Sequence, residues 1–277
     1  MAASSDDLTT HDSATETAPP QGRGKAALGQ RPVALITGGG RGIGAATAVL
    51  AAQRGYDLVL AYRSDAGAAE AVAERAREQG AHAVCVPADV ADEASVLALF
   101  ATLDAEVGRL DALVNNAGVL DRSQPFLDYT AERMQRIFQT NVFGAFIVAR
   151  EAARRMARSR GGAGGAIVNV SSAASRMGSP GEYVDYAASK GAMDSMTLGL
   201  AKELAGEGIR VNAVRPGLIH TDIHASGGRP GRVGELAHQV PLARGGTAEE
   251  VANAIVWLLS GEASYVTGAL LDVGGGR

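Results

Sequence analysis

The stretch PVALITGGGRGIG, residues 32–44, runs from an apolar segment straight into a cluster of glycines. Continuous hydrophobicity over 32–37 predicts a strand covered on both faces, as in a parallel sheet. TGGGRGIG (37–44) then predicts a tight turn that opens a helix over 43–54. Glycines 38, 42 and 44 permit that turn and a close backbone approach, and the free N–H groups at the helix start suit a pyrophosphate. The string has no Walker lysine, which argues against a P-loop ATPase. Its spacing also departs from G-x-G-x-x-G, because Ile43 stands where the third glycine would fall. A glycine turn alone serves any tight strand-to-helix connection, so the rest of the chain has to decide.

Outward from this turn the same alternation repeats. DLVLAY (57–62), AVCVPA (83–88), LDALVN (110–115), AIVNVS (166–171), IRVNAV (209–214) and ALLDVG (269–274) are further candidate strands. Helix-length segments lie between them at 66–79, 92–107, 130–158, 186–205 and 247–260. This order predicts an α/β fold, a single-domain doubly wound (Rossmann-type) parallel sheet of about seven strands flanked by helices. The domain spans 31–277. Residues 1–30, rich in Ser, Thr, Asp and Pro, read as a disordered tail that lacks the apolar centre of a secretory signal. IHASGGRPGRVG (223–234) is too rich in Gly and Pro for a packed element and follows a strand end. It reads equally as a ligand-covering lid or as a plain surface loop.

Composition narrows the function. A chain of 277 residues suits one large domain. Its 36 glycines are about twice the usual share of roughly 7%, as expected where many tight turns join buried strands. A net charge of -4 offers no attraction for nucleic acid. No apolar run approaches the roughly 18 residues of a membrane span, and the protein is predicted to be cytoplasmic. The single cysteine, Cys85, sits between Val84 and Val86 and reads as a strand residue in a reducing compartment. The chain has no G-x-S-x-G elbow, which removes the usual hydrolase reading.

In VDYAASKGAM (184–193), Tyr186 and Lys190 stand one helical turn apart, about 6 Å of rise, on a single face. The pair is either surface decoration or a tuned proton donor. Bringing a phenol from a pKa near 10 to about 7 takes about 4 kcal/mol. An ammonium 4 Å away supplies about 1 kcal/mol in water but about 4 at an effective dielectric of 20. Tuning therefore requires a partly desolvated pocket.

Four strings now stand in order: the Thr-Gly-x-x-x-Gly-x-Gly of 37–44, NNAG (115–118), NVSS (169–172) and YAASK (186–190). Together they resemble the classical short-chain dehydrogenase/reductase family over roughly residues 31–277. The resemblance implies an oxidoreductase that moves a hydride between nicotinamide and a carbonyl or secondary alcohol. It also implies a small-molecule substrate, a homotetramer joined through the long helices of 130–158 and 186–205, and no metal. Overall likeness points toward members labelled sugar dehydrogenase or 3-oxoacyl-carrier-protein reductase.

By the same resemblance Tyr186 is the general acid/base, and Lys190 lowers its pKa and binds the nicotinamide ribose. Ser172 bonds the substrate oxygen, and Asn141, in QTNVFGAF, holds a proton-relay water. The family usually places its serine thirteen residues ahead of the tyrosine, which here is Ala173. Ser172 stands fourteen ahead, implying one extra residue in AASRMGSPGEYVD, while strand alternation turns Ser171 to the opposite face. Tyr183 reads as a pocket or loop residue.

Where NAD-dependent members carry an acid after the second strand, this chain has Tyr62 followed by Arg63, and Arg41 occupies the glycine loop. Two guanidiniums suit a 2′-phosphate, so NADP is favoured over NAD, with Asp65 the residue that would reverse the preference. Expected cofactor contacts are Gly38, Arg41, Gly42, Ile43, Gly44, Tyr62 and Arg63 at the adenosine and phosphate end. Asp89 and Val90 lie near the base, and Asn115, Ala117 and Gly118 along the middle. Tyr186, Lys190, Pro216, Gly217, Ile219 and Thr221 lie at the nicotinamide end. His220, Asp222 and His224 could suggest a metal trio, but the implied chemistry requires none. Arg229 and Arg232 either favour polar or anionic substrates or belong to a solvated loop, and the solvated reading is preferred. The rival function is a non-catalytic NADP(H)-binding regulatory protein, against which the intact Asn141, Ser172, Tyr186 and Lys190 set argues.

Overall fold

Each of the seven apolar segments forms a strand in the computed structural model, which describes Met1 and residues 31–277. They are β1 (Val33–Thr37), β2 (Asp57–Tyr62), β3 (Ala83–Pro87), β4 (Ala112–Asn115), β5 (Gly165–Val170), β6 (Ile209–Pro216) and β7 (Leu270–Val273). All neighbours run parallel in the order β3-β2-β1-β4-β5-β6-β7. The order reverses between β1 and β4, which opens a crevice beyond the carboxyl ends of those strands. The predicted tail, apart from Met1, lies outside the described residues.

Helices α1 (Gly42–Gln53), α2 (Ala66–Glu78), α3 (Glu93–Glu106), α4 (Ala131–Phe138) and α5 (Ala145–Met156) precede or flank β5. Then come α6 (Ala174–Met177), α7 (Val184–Glu203), α8 (Ile223–Ser226), α9 (Arg232–Leu236) and α10 (Ala248–Leu259). Alternation along β1 divides the core: Ala34 and Ile36 join Ala48, Val72 and Ile255 from α1, α2 and α10 on one face. Val33 and Leu35 join Phe100, Val148 and Ala201 from α3, α5 and α7 on the other. Side chains fix several helix starts. Asp65, Asp92 and Thr130 each accept a backbone N–H from the first turn, and Thr247 with Glu250 forms a reciprocal capping box. Such caps contribute about 1 kcal/mol each.

Two expectations are corrected. The helix predicted over 130–158 is divided by a π-turn, Gln139–Gly144, and ends at Met156. Asn141 explains the break. Its amide accepts from Val119 N at 2.8 Å and donates to Val119 O at 2.9 Å, pinning this turn to the loop after β4. Gly144 passes so close to β3's exit that a Cβ there would lie 2.5 Å from Val90 O. The segment 223–234, expected to lack packed elements, contains α8 and begins α9. Val233 joins Leu218 and Val240 in a small apolar cluster that holds it down.

Candidate active site

The crevice at the β1/β4 reversal is a cleft of about 550 Å³. Its floor begins at the glycine turn. Gly42 adopts φ +53°, a conformation that side chains resist. At Gly44 a Cβ would lie 2.3 Å from Gly38 O, so this residue permits the close helix–turn contact that the sequence spacing placed at Ile43. The α1 N-terminus has no side-chain cap and no acid in its first turn, leaving its N–H groups for an anion. Gly38, Ile43, Tyr62, Asp89 and Val90 line this end of the cleft.

Arg41 and Arg63 are exposed residues that line the same end, their guanidiniums with no hydrogen-bond or ion-pair partner among the described residues. Asp65 is engaged: its carboxylate caps α2 by accepting from Ala68 N at 2.9 Å. The cap occupies the group that would favour an unphosphorylated ribose.

Asn115 is a correction. It is buried at the end of β4, and its amide donates to Ala145 O on α5, away from the cleft. The next residue, Asn116, lines the cleft instead. Its Nδ2 donates to Thr37 O and Gly38 O at 2.9 and 3.2 Å, tying the loop after β4 to the glycine turn. Thr37 Oγ1 completes the tie by accepting from Asn116 N and Ala117 N. The signal for Asn116 was present in NNAG, as the first residue past the strand. Ala117 and Gly118 continue along the cleft, and Pro216, Gly217, Ile219 and Thr221 form the wall facing the glycine loop. A Cβ on Gly42 would come within 3.3 Å of Thr221 Cγ2, so the two walls nearly touch there.

Tyr186 lies in the first turn of α7. The preceding Asp185 is buried and accepts from Arg133 Nε at 2.6 Å and Nη2 at 3.1 Å, as well as from Tyr186 N. This bidentate pair locks α4 to the start of α7 and fixes the tyrosine's entry angle. Ser172 Oγ accepts from Ala174 N at 3.1 Å, and Ser172 lines the cleft beside Tyr186, near enough to pull its phenol's pKa down. Ser171 faces the other way, donating to Lys190 O, as strand alternation predicted. The extra-residue assignment of Ser172 therefore brings serine and tyrosine together.

Lys190 is buried, with its Nζ 2.7 Å from Val170 O and 5.7 Å from the Tyr186 ring centre. Burial pulls its ammonium down to about 8, partly offset by Asp194. Burial pushes the Tyr186 phenol up to about 12, with Ser172 acting in the opposite sense. The expected lowering of the phenol is thus absent in the protein alone. Desolvation outweighs the opposing influence of Ser172, and the ammonium donates to the Val170 carbonyl at 2.7 Å. Asn141 lies against the same spot: a Cβ on Gly118 would sit 3.4 Å from Asn141 Oδ1 and 3.6 Å from Lys190 Nζ. Both amide hydrogens of Asn141 are taken, by Val119 O and Ser189 Oγ, which ties the π-turn to the loop after β4 and to α7.

Past Tyr186 the cleft is bounded by Tyr183, Met177 and the α8–α9 segment. Tyr183 donates to Gly227 O at 3.3 Å. Glu182 receives both Arg229 and Arg232, the latter at 2.6 Å. Arg232 also covers the Tyr183 ring, 5.2 Å from its centre. The solvated reading of these arginines is therefore corrected: they fasten the segment over the cleft by ion pairs invisible in a local window. His224 donates from Nε2 to Ile219 O, and among the described residues no three His, Cys, Asp or Glu groups converge as for a metal.

A parallel sheet with a glycine turn at the reversal point and a Ser–Tyr–Lys group at the far end of one cleft defines a dinucleotide-binding oxidoreductase. The sequence profile of a family described as enoyl-(acyl carrier protein) reductase matches residues 38–277. The chain is 56% identical over 245 residues to the uncharacterized oxidoreductase YgfF of Escherichia coli, covering 88% of this chain and 99% of that protein. It is 36% identical to a 3-oxoacyl-acyl-carrier-protein reductase of Staphylococcus aureus, over 88% and 96% of the two chains. A short-chain type dehydrogenase/reductase from Mycobacterium marinum superposes with a TM-score of 0.83 at 34% identity, over 88% and 94%. Two further structures superpose with TM-scores of 0.81. One is a Burkholderia cenocepacia short-chain dehydrogenase in complex with NADP, 32% identical over 90% and 98%; the other is a Brucella melitensis 3-ketoacyl-acyl-carrier-protein reductase with NADH, 33% identical over 89% and 98%. The chain belongs to the short-chain dehydrogenase/reductase family.

Proposed function

We propose that this oxidoreductase uses NADP(H) to interconvert a carbonyl and a secondary alcohol, with Tyr186 as general acid/base. The observation that carries the reading is the convergence of Ser172, Tyr186 and the buried Lys190, its Nζ 5.7 Å from the Tyr186 ring centre, in the cleft that starts at the glycine turn. The residues fit the cofactor: uncapped N–H groups, a glycine cradle that a Cβ would fill, and two unpaired guanidiniums where a 2′-phosphate belongs. When bound, nicotinamide supplies or accepts the hydride.

The chain's own residues handle the proton and the charge. With its pKa near 12, the Tyr186 phenol keeps its proton across the neutral range and can give it to a substrate oxygen. Ser172 offers a second hydroxyl to the same oxygen and stabilises the charge that develops there. Lys190 carries its proton below about pH 8 and can return one to the tyrosine side of the site. Asn141 positions that lysine's surroundings through its grip on Val119. Oxidation of an alcohol requires a lower phenol pKa, for which a further positive charge near the site is needed.

Arg41 and Arg63 would clamp the 2′-phosphate, and Asp65, which lines the same end of the cleft, spends one carboxylate oxygen on capping α2. Paired fluorescence titrations test this choice. NADPH binding at least tenfold tighter than NADH, about 1.4 kcal/mol, supports it. Equal affinities would reject the clamp, and failure of both to bind would reject the enzyme reading. We place the enzyme in the cytoplasm, as a homotetramer. Exposed Phe143, Phe146 and Leu198, on the helical stretch of 139–156 and on α7, supply apolar surface for that assembly. Light scattering that returned a monomer would remove the assembly, and cell fractionation checks the compartment.

A further inference from the structure

Around Tyr183, three buried polar atoms have no hydrogen-bond partner among the described residues: Arg232 Nη1, Arg277 Nη1 and His224 Nδ1. All three residues line the cleft, together with Tyr183 and Ser179, while Arg41 and Arg63 line it near the glycine turn. They are close enough to feel one another, since Arg232 disfavours the charged forms of both Arg277 and His224. A buried guanidinium N–H without an acceptor costs more than an exposed one. The neighbouring acid does not relieve it. Glu182 already receives Arg229 and Arg232, with Arg232 Nη2 as the donor, leaving Nη1 free. Asp222 lines the same cleft but forms no ion pair with Arg232 or Arg277. Arg229 has Glu182 and Glu235, so it is satisfied. The remaining donors are one Nη1 on each of two planar guanidiniums, and charged N–H donors of this kind suit carboxylate or phosphate oxygens.

We propose that Arg232 and Arg277 form an oxyanion subsite that selects carbonyl substrates bearing a carboxylate or phosphate group remote from the reacting carbon. The proposal rests on the oxidoreductase reading and adds a substrate class to it. Arg232 is held in place by Glu182 and by the Tyr183 ring, three residues ahead of Tyr186, so the subsite is referenced to the catalytic tyrosine. His224 donates from Nε2, which leaves Nδ1 a bare acceptor suited to a hydroxyl on the same molecule.

The test separates cofactor binding from substrate choice. NADPH affinity is measured first by fluorescence. Steady-state reduction is then measured for straight-chain oxo acids of increasing length, each beside its methyl ester, and for dihydroxyacetone phosphate beside dihydroxyacetone. The expected result is a kcat/KM at least tenfold higher for one anionic series than for its neutral partners, carried mainly by KM. Arg277→Gln and Arg232→Gln should each bring that ratio toward one while leaving NADPH affinity in place. Preference for the acids identifies carboxylate, and preference for the phosphorylated ketone identifies phosphate. With NADPH bound, equal use of charged and neutral partners, no use of any charged probe, or a preference that survives both substitutions overturns the subsite. Absence of NADPH binding would instead remove the oxidoreductase reading on which it stands.

Discussion

At the glycine-turn end of the cleft, contacts come from backbone groups and small residues, and the bare arginines lie in solvent. At the Tyr183 end they come from charged side chains brought together across 47 residues, as Arg229 reaches Glu182. The first construction tolerates little change in shape and leaves recognition to main-chain N–H groups. The second fixes its walls with ion pairs and leaves individual donors unmatched. A cofactor shared by many enzymes suits the first, and a particular substrate suits the second.

The largest expected effect lies where the two constructions meet. Tyr186→Phe should lower kcat by about 10²–10⁴-fold while NADPH titrates as in the parent. Retention of most activity would move the acid/base role elsewhere. Lys190→Met separates stability from function. The folded lysine's pKa, about 8, lies below its ordinary 10.5, so burying the ammonium costs up to about 3 kcal/mol at pH 7. That cost is fully present below pH 8 and is lifted as pH rises from 8 toward 10.5. The methionine variant should therefore be inactive yet more stable to urea at pH 7, with the advantage shrinking near pH 10. A destabilised variant would mean that the Val170 carbonyl makes the charge net favourable. The parent's reduction rate should likewise decline above pH 8, as the lysine loses its proton.

A smaller loss is expected at the glycine turn. Gly44→Val drives a side chain into Gly38 O and Asn116, which should cost about 1–3 kcal/mol in thermal unfolding and weaken both nicotinamide cofactors together. Arg41→Ala with Arg63→Ala is the mildest. NADPH binding should weaken about tenfold, about 1.4 kcal/mol, with NADH unchanged. A parallel loss for NADH would show that the arginines shape the turn rather than read the phosphate.

The same contrast explains what the sequence disclosed. Strands were legible because burial on both faces writes continuous apolar runs, and the glycine turn because its constraint is local. The opposite facing of Ser171 and Ser172 was reachable by strand alternation. Asn115 was mistaken for its neighbour because the strand ends between them, and the side chain on each side of that boundary points differently. The break at 139–144 was not legible, since its cause is the distant backbone of Val119. Arg229 and Arg232 were misread for the same reason, their partner Glu182 lying far back in the chain. The one-turn spacing gave the rise between Tyr186 and Lys190 but not the Val170 carbonyl that holds the ammonium 2.7 Å away.

The π-turn at 139–144 has a bearing on chain length. It holds one residue more than the α-turn it interrupts, and each residue of a helix advances its azimuth by about 100°. α4, which packs on α7, and α5, whose Val148 and Ala152 reach the sheet, are thus set about a quarter-turn out of phase. Excision of one residue would restore a continuous helix and rotate every contact of one half. Along this helix, residue count is itself a structural specification, and an alignment slipped by one position through 139–144 would assign each side chain of α5 to the wrong face.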